Sequence, residues 1–368
     1  MYGAEKGLLS LLKGLDKSKI NPIVVLPRDG IFNEELQKYD ITTYIVNCPW
    51  WVRGNYNLFA LIWSVCKECT ALLKLRTIVL KEDIQIIYTN SVVTFSGAII
   101  SFFHKIPHVW HIKEILPENP DLKSILPLKY LFRFISYCST HIISISNAAA
   151  QQFSPLNISR KMTVIYEGFD FCDLPERDST PSIREISEKD WVITVVGSLQ
   201  RRKAPDDAIR AVKIAIQKIP TLKLLLVGKG ERAYIKYLRK LIIELGLVNK
   251  AILIGHRNDV YQILLKSKLS LMPSLDEPFG KVVLEAMAMG KPVIGVNSGG
   301  VKEIIQHGVT GFLVPPGSPE KIAENIIRLF ENPDLLNKLG TNAKSYIKDN
   351  FAMQKYIENM ENILMGAL

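Results

Sequence analysis

The stretch SLDEPFGKVVLEAMAMGKPVIGV, residues 274–296, carries two glutamates, Glu277 and Glu285, in an E-x7-E arrangement. Pro278 has no N–H and so suits a first helical turn, where that donor would find no partner inside the helix. Gly280 lets a ligand approach the backbone closely. Gly290, with Pro292 two positions on, predicts a helix end followed by a new strand, PVIGV (292–296). The apolar run LSLMP (269–273) just upstream predicts another. Glu277 is therefore expected at the helix mouth and Glu285 about two turns inside. Eight helical steps would separate them by about 12 Å along the axis. Carboxylate pairs of glycosidases stand roughly 5–9.5 Å apart. The spacing disfavours a hydrolase dyad and fits two anchors on one extended ligand.

The same alternation runs through the rest of the chain. Strand-like runs in the first half are PIVVL (22–26), TTYIV (42–46), IQIIY (84–88), HVWHI (108–112) and HIISIS (141–146). In the second half WVITVVG (191–197), KLLLVG (223–228) and AILIG (251–255) join the two already named. Amphipathic stretches such as PDDAIRAVKIAIQKI (205–219) and RAYIKYLRKLIIELG (232–246) lie between them. Apolar strands alternating with helices predict parallel sheets covered on both faces. The polar, strandless ERDSTPSIREISEKD (176–190) divides the two series and reads as a linker region. We expect an α/β protein of two Rossmann-like, doubly wound domains facing across a cleft. Residues 1–175 form the N-terminal domain and residues 176–350 the C-terminal one, with a helix in 351–368 packing back toward the first. The opening MYGAEKGLLSLLKGL goes straight into a helix. The first strand of the N-terminal domain is therefore expected to be missing.

A chain of 368 residues with 48% hydrophobic and 22% charged side chains is ordinary for a globular protein of two domains. Of the formal net charge of +10, most sits in residues 176–368, with 28 basic against 21 acidic side chains. A phosphate-bearing ligand or an anionic membrane could use that excess; a solvated lysine-rich surface explains it equally well. Five cysteines do not make a disulfide framework, and the lone C-x-x-C of Cys66 and Cys69 lacks the second pair that zinc would need. With no signal peptide and no apolar run long enough to span a bilayer, a cytoplasmic protein is expected. Apolar and basic residues mixed along 99–133 leave room for peripheral contact with a membrane's cytoplasmic face.

The E-P-F-G-K-V-V-L-E segment resembles the E-x7-E motif of glycosyltransferase family 4, retaining enzymes of the GT-B fold. The resemblance continues through GKPVIGVNSGGVKEIIQHGVTGFLVPPG (290–317). Upstream, VVGSLQRRKAPDDAIRA (195–211), LLLVGKGER (225–232) and GHRNDVYQILLKSKLSLMPS (255–274) fit in order. YGAEKGLLSLLKGL (2–15), VWHIKE (109–114), SISNAAAQQF (144–153) and VIYEGFD (164–170) match more loosely. The blocks cover nearly the whole chain.

The resemblance implies a nucleotide-sugar donor gripped at both ends. Glu285 would hydrogen-bond the ribose, and Glu277 the donor sugar, with Phe279, Gly280, Lys281 and Val282 alongside. In the loop GSLQRRK, Lys203 falls on the family's diphosphate-binding lysine. The family's arginine position, directly after Gly197, is Ser198 here, so Arg201 or Arg202 would have to substitute. Gly228 and Gly230 complete a G-x-G turn, and Gly299 and Gly300 open the next helix; plain turn geometry would require the same glycines. His111 falls on a histidine that contacts the donor sugar or reaction centre, and Glu114 would position its loop. No D-x-D triad occurs, so neither a metal nor a cofactor is expected. The implied activity is that of a retaining, metal-independent hexosyltransferase building cell-surface polysaccharide or glycolipid on a glycan or lipid-linked acceptor. Other readings are a GT-B phosphorylase or epimerase, and a truncated or inactive protein that binds nucleotide-sugar or glycan without transfer. Nucleic acid is not an expected partner.

Overall fold

The computed structural model describes residues 3–53, 58–117, 119, 122–124, 126–174, 183 and 186–368. The chain divides into two compact units, one of residues 1–168 with 353–368, the other of residues 169–352. Of the stretch 176–190, residues 176–182 and 184–185 lie outside the described residues.

The N-terminal unit runs α1 (Gly3–Gly14), β1 (Ile23–Leu26), α2 (Ile31–Gln37), β2 (Thr42–Ile45), β3 (Val52–Arg53), α3 (Leu58–Lys81), β4 (Ile87–Asn90), α4 (Ser96–His104), β5 (His108–Ile112), β6 (Lys123–Ser124), α5 (Leu128–Cys138), β7 (His141–Ser144), α6 (Asn147–Gln151) and β8 (Met162–Val164). Its parallel strands form two hydrogen-bonded groups, β1-β2 and β4-β5-β7-β8. Alternation along these strands sends Val24, Leu26, Val109 and Ile143 into one core, shared with α1. Their neighbours Val25, Trp110 and Ile142 enter the cores under α3, α4 and α5. The fourth strand begins three residues later than the run IQIIY suggests. The Ile84 N–H is still bonded to the Val79 carbonyl, 3.2 Å away, so the close of α3 holds that residue and strand pairing cannot start there.

His108 is fully buried on β5, its Nε2 2.8 Å from the Thr89 hydroxyl. Burial lowers its pKa to about 4. The neutral ring is favoured in the folded state, so the stability is intact above the unfolded pKa of about 6.5 and is lost as pH falls toward 4. From this group alone the loss should reach about 3 kcal/mol. Buried Glu114, whose pKa is raised, acts in the opposite sense. The measurement is therefore a difference: between pH 7 and 4 the melting temperature of His108→Gln should fall less than that of the parent. Parallel curves would remove His108 as a source of acid lability.

The C-terminal unit continues with β9 (Trp191–Val196), α7 (Pro205–Ala215), β10 (Leu222–Val227), α8 (Arg232–Glu244), β11 (Ala251–Gly255), α9 (Val260–Lys266), β12 (Leu269–Met272), α10 (Lys281–Ala288), β13 (Val293–Val296), α11 (Val301–Ile304), β14 (Gly311–Val314), α12 (Pro319–Glu331) and α13 (Pro333–Asn350). Among the described residues its six strands are all parallel, in the order β11-β10-β9-β12-β13-β14. Strands β9, β10 and β12 to β14 are almost wholly buried, as expected where helices cover both faces. A last helix, α14 (Met353–Gly366), belongs to the N-terminal unit, where Tyr356, Ile357, Met360 and Leu364 join the core of α1 and β1.

Helix α10 starts at Lys281, with Gly280 at φ +100° as its N-cap, so Pro278 lies in the preceding loop and not in the first turn. Glu285 is the fifth helical residue, about one turn inside, and only half of the E-x7-E segment is helical. The 12 Å axial separation expected from an unbroken helix therefore does not apply. The reason lies outside the stretch: the Glu277 carbonyl accepts the Gly300 N–H at 2.7 Å and is held in the loop. At the other end the helix closes as expected. Gly290 adopts φ +70°, and the N–H groups of Gly290 and Lys291 bond to the carbonyls of Met287 and Ala286.

Candidate active site

From β9 the chain steps outward through β10 to β11, then returns to lay β12 on the other side of β9. Loops leaving the carboxyl ends of β9 and β12 must therefore diverge to opposite faces and open a crevice between them. The loop after β9 holds Gly197, Ser198, Arg201, Arg202 and Lys203; the loop after β12 holds Glu277, Phe279 and Gly280. Lys203 Nζ and a Glu277 carboxylate oxygen form an ion pair across this point, both side chains more than four-fifths buried.

Backbone bonds on both sides fix that pair. The Leu275 N–H donates to the Arg202 carbonyl at 2.9 Å, tying the two loops together. On the far side the Ser298 hydroxyl donates to the Leu275 carbonyl. A Cβ on Gly299 would lie 2.3 Å from the Glu277 carbonyl oxygen, and one on Gly300 2.4 Å from that of Pro278. Both glycines thus serve close backbone approach beside Glu277. Phe279 is buried, its ring 6.3 Å from that of Phe351. Lys281 and Val282 open α10 and are half-buried. Glu285 follows one turn later, buried among Leu284, Ala286 and Met287.

The glycines after β9 and β10 make a second contact. Gly197 and Gly228 have φ +140° and +152°, and a Cβ on Gly228 would come within 1.7 Å of the Gly197 carbonyl oxygen. Leu199 and Gly230 continue the parallel pairing as an isolated bridge. Ser198 is exposed, its hydroxyl 3.3 Å from Gln200 Oε1. Arg201 places its guanidinium 5.9 Å from the centre of the Tyr234 ring, Arg202 is half-buried, and Lys203 pairs with Glu277.

The remaining candidates, His111 and Glu114, stand at the carboxyl end of β5 in the N-terminal unit. His111 is fully buried, with Nδ1 2.6 Å from the Tyr88 hydroxyl, while Nε2 has no hydrogen-bond partner among the described residues. Burial and the neighbouring Lys113 cation hold its pKa well below the usual histidine range, so the ring is neutral at pH 7. The Glu114 carboxylate accepts the Ser91 hydroxyl and the N–H groups of Val92 and Lys113. It thereby joins the loop after β4 to the end of β5. Two further residues come into view here. Lys113 and Glu167 form an ion pair at 2.7 Å with both side chains about 95% buried, beside the backbone of Gly7 in α1. A buried lysine next to a strand-end histidine was the available signal in VWHIKE; its partner, 54 positions away, had none.

Two family models match the chain: Glycosyltransferase Family 4 over residues 1–171 and Glycosyl transferases group 1 over residues 176–346. An uncharacterized glycosyltransferase from Methanocaldococcus jannaschii is 30% identical over 291 residues, 74% of this chain and 73% of that relative. The chain belongs to glycosyltransferase family 4. Another relative, the N-acetyl-alpha-D-glucosaminyl L-malate synthase of Bacillus anthracis, is 29% identical over 257 residues. That match takes in 69% of this chain and 65% of the synthase, just under two thirds of its length. The Anabaena protein HepE, solved in complex with UDP-glucose, superposes with a TM-score of 0.80 at 26% identity, covering 100% of this chain and 96% of HepE. The family 4 chain thus has the GT-B fold of two Rossmann-like domains.

Proposed function

We propose that this glycosyltransferase takes a sugar from a nucleoside-diphosphate-sugar, UDP-linked in the first instance, and transfers it with retention to a glycan or lipid-linked acceptor. Cell-surface polysaccharide or glycolipid would be the product, made in the cytoplasm or at the cytoplasmic face of a membrane. The observation that carries this reading is the Lys203–Glu277 pair at the switch point of the C-terminal sheet, with Glu285 one helical turn inside α10. Lys203 is the cation for the departing diphosphate, and the uncapped N–H groups at the start of α10 add a partial positive charge. Glu277 accepts hydroxyls of the donor sugar, and Glu285 those of the ribose. His111 contacts the sugar at the reaction centre as a neutral ring. UDP-glucose in the HepE complex supports the choice of donor.

No divalent ion is required by this scheme, because fixed cationic and backbone groups meet the developing charge. Among the described residues no group of three or more His, Cys, Asp or Glu side chains is placed to hold a metal.

The test is nucleotide release from UDP-, GDP- and ADP-sugars by the purified chain, with and without a chelator, and with glycan or lipid-linked acceptors added. UDP release that survives chelation and is stimulated by an acceptor is the expected result. Nuclear magnetic resonance of the new anomeric centre should show the configuration of the donor. Nucleotide binding without release under every acceptor would establish the binding-only alternative, and failure of all three nucleotide-sugars to bind would overturn the donor site.

A further inference from the structure

Helices α3, α4 and α5 cover one face of the N-terminal unit's strands, and their outer surface does not look like that of an ordinary soluble layer. On α4, Phe102 and Phe103 are exposed, the latter by 73%; on α5, Tyr137 is exposed by 75% and Tyr130 one heptad earlier by 55%. The Phe102 ring lies 5.9 Å from that of Phe103 and 6.1 Å from that of Tyr137, so three aromatic side chains from two helices form one continuous patch. Leu73 and Leu80 add a second apolar stripe on the outward side of α3, opposite buried Leu75, Ile78 and Val79. Scattered exposed apolar side chains are normal, but a contiguous aromatic group needs a reason.

The exposed charges carried by these three helices are all basic. Lys105 follows Phe103 at the αL C-cap of α4, and Lys129 and Arg133 stand among the exposed tyrosines of α5. Lys74 and Arg76 flank the leucine stripe on α3. Helices α4 and α5 contain no acidic residue, and the only one in α3, Glu68, is buried. Aromatic rings settle at the level of lipid headgroups, and lysine and arginine reach past them to anionic phosphates. No helix among the described residues is long and apolar enough to cross a membrane, so contact through this layer would be in the plane of the surface.

We propose that the α3–α4–α5 face docks on an anionic phospholipid bilayer, with Phe102, Phe103, Tyr130 and Tyr137 entering the headgroup region and Lys105, Lys129 and Arg133 pairing with lipid phosphates. The proposal deepens the membrane-contact part of the functional reading and rests on it, while its residues are separate from the donor site.

Cosedimentation of the full chain with vesicles tests it. The protein should pellet with phosphatidylglycerol vesicles and stay in solution with phosphatidylcholine vesicles, and added salt should weaken the binding. Both Phe102→Ser/Phe103→Ser/Tyr137→Ser and Lys105→Glu/Arg133→Glu should lower the partition coefficient roughly tenfold or more. Circular dichroism and nucleotide release from a UDP-sugar in solution should remain those of the parent. Parent protein left in solution with anionic vesicles, or variants that pellet as the parent does, overturns the proposal. So does a parent that self-associates without vesicles and variants that do not, since the face would then be a contact between copies. Loss of vesicle binding and loss of donor turnover are read in separate assays, so either idea can fail alone.

Discussion

Alanine at position 285 is expected to lower kcat/KM for nucleotide release from a UDP-sugar by roughly a hundredfold to ten-thousandfold. Glu285 is buried on the second turn of α10. A carboxylate that accepts two ribose hydroxyls makes two charge-assisted bonds, each worth about 1.5–3 kcal/mol. At about 1.4 kcal/mol per factor of ten, losing both removes roughly two to four orders of magnitude. Glutamine keeps an acceptor without the charge and should fall between parent and alanine. Steady-state kinetics with calorimetric UDP binding checks this; a Glu285→Ala protein within a factor of three of the parent would exclude the ribose role.

Lys203→Ala should be comparably damaging, by a different route. Its ammonium group pairs with Glu277 at the switch point, and both side chains are largely withdrawn from water. Removing it takes away the cation proposed for the diphosphate, a loss of roughly 10²–10³ in kcat by analogy with other preorganised charge-stabilising groups. It also leaves the Glu277 carboxylate without the Lys203 counter-charge, which adds a cost in stability. The double variant Lys203→Ala/Glu277→Gln separates the two effects. It should regain much of the lost melting temperature and none of the lost turnover. Recovery of turnover in the double variant would show that Lys203 only neutralises Glu277. Arginine is not an adequate replacement, because its planar fork cannot occupy the place of a compact ammonium group.

What could be read beforehand depended on how local its cause was. The strand and helix order of the C-terminal unit follows from nearby apolar patterning, and Gly290 ends α10 through bonds within its own turn. The local pattern puts the start of α10 too early because its cause is distant: Gly300, twenty-three positions after Glu277, takes the carbonyl that an earlier helix would need. The same holds for the fourth strand, where the end of α3 reaches into a run whose apolarity alone looks like β. Glu277 and Lys203 could each be singled out through their motifs. That they would pair across 74 positions could not be. Nor could the divergence of Arg201 toward Tyr234, since nothing in QRRK distinguishes the direction of one basic side chain from the next.

The position of α14 has a consequence for how this protein is made. Its residues Ile357 and Met360 fill a core with Leu11, Leu12, Val24 and Ile143, and a Cβ on Gly14 would come within 2.0 Å of Ile357. The ribosome therefore completes every residue of the C-terminal unit before it supplies the helix that its predecessor needs. The later-born unit can reach its native state while the earlier one still exposes an unfilled groove to chaperones in the cell. A premature stop codon just before Met353 would thus injure the half of the protein farthest from it in the message.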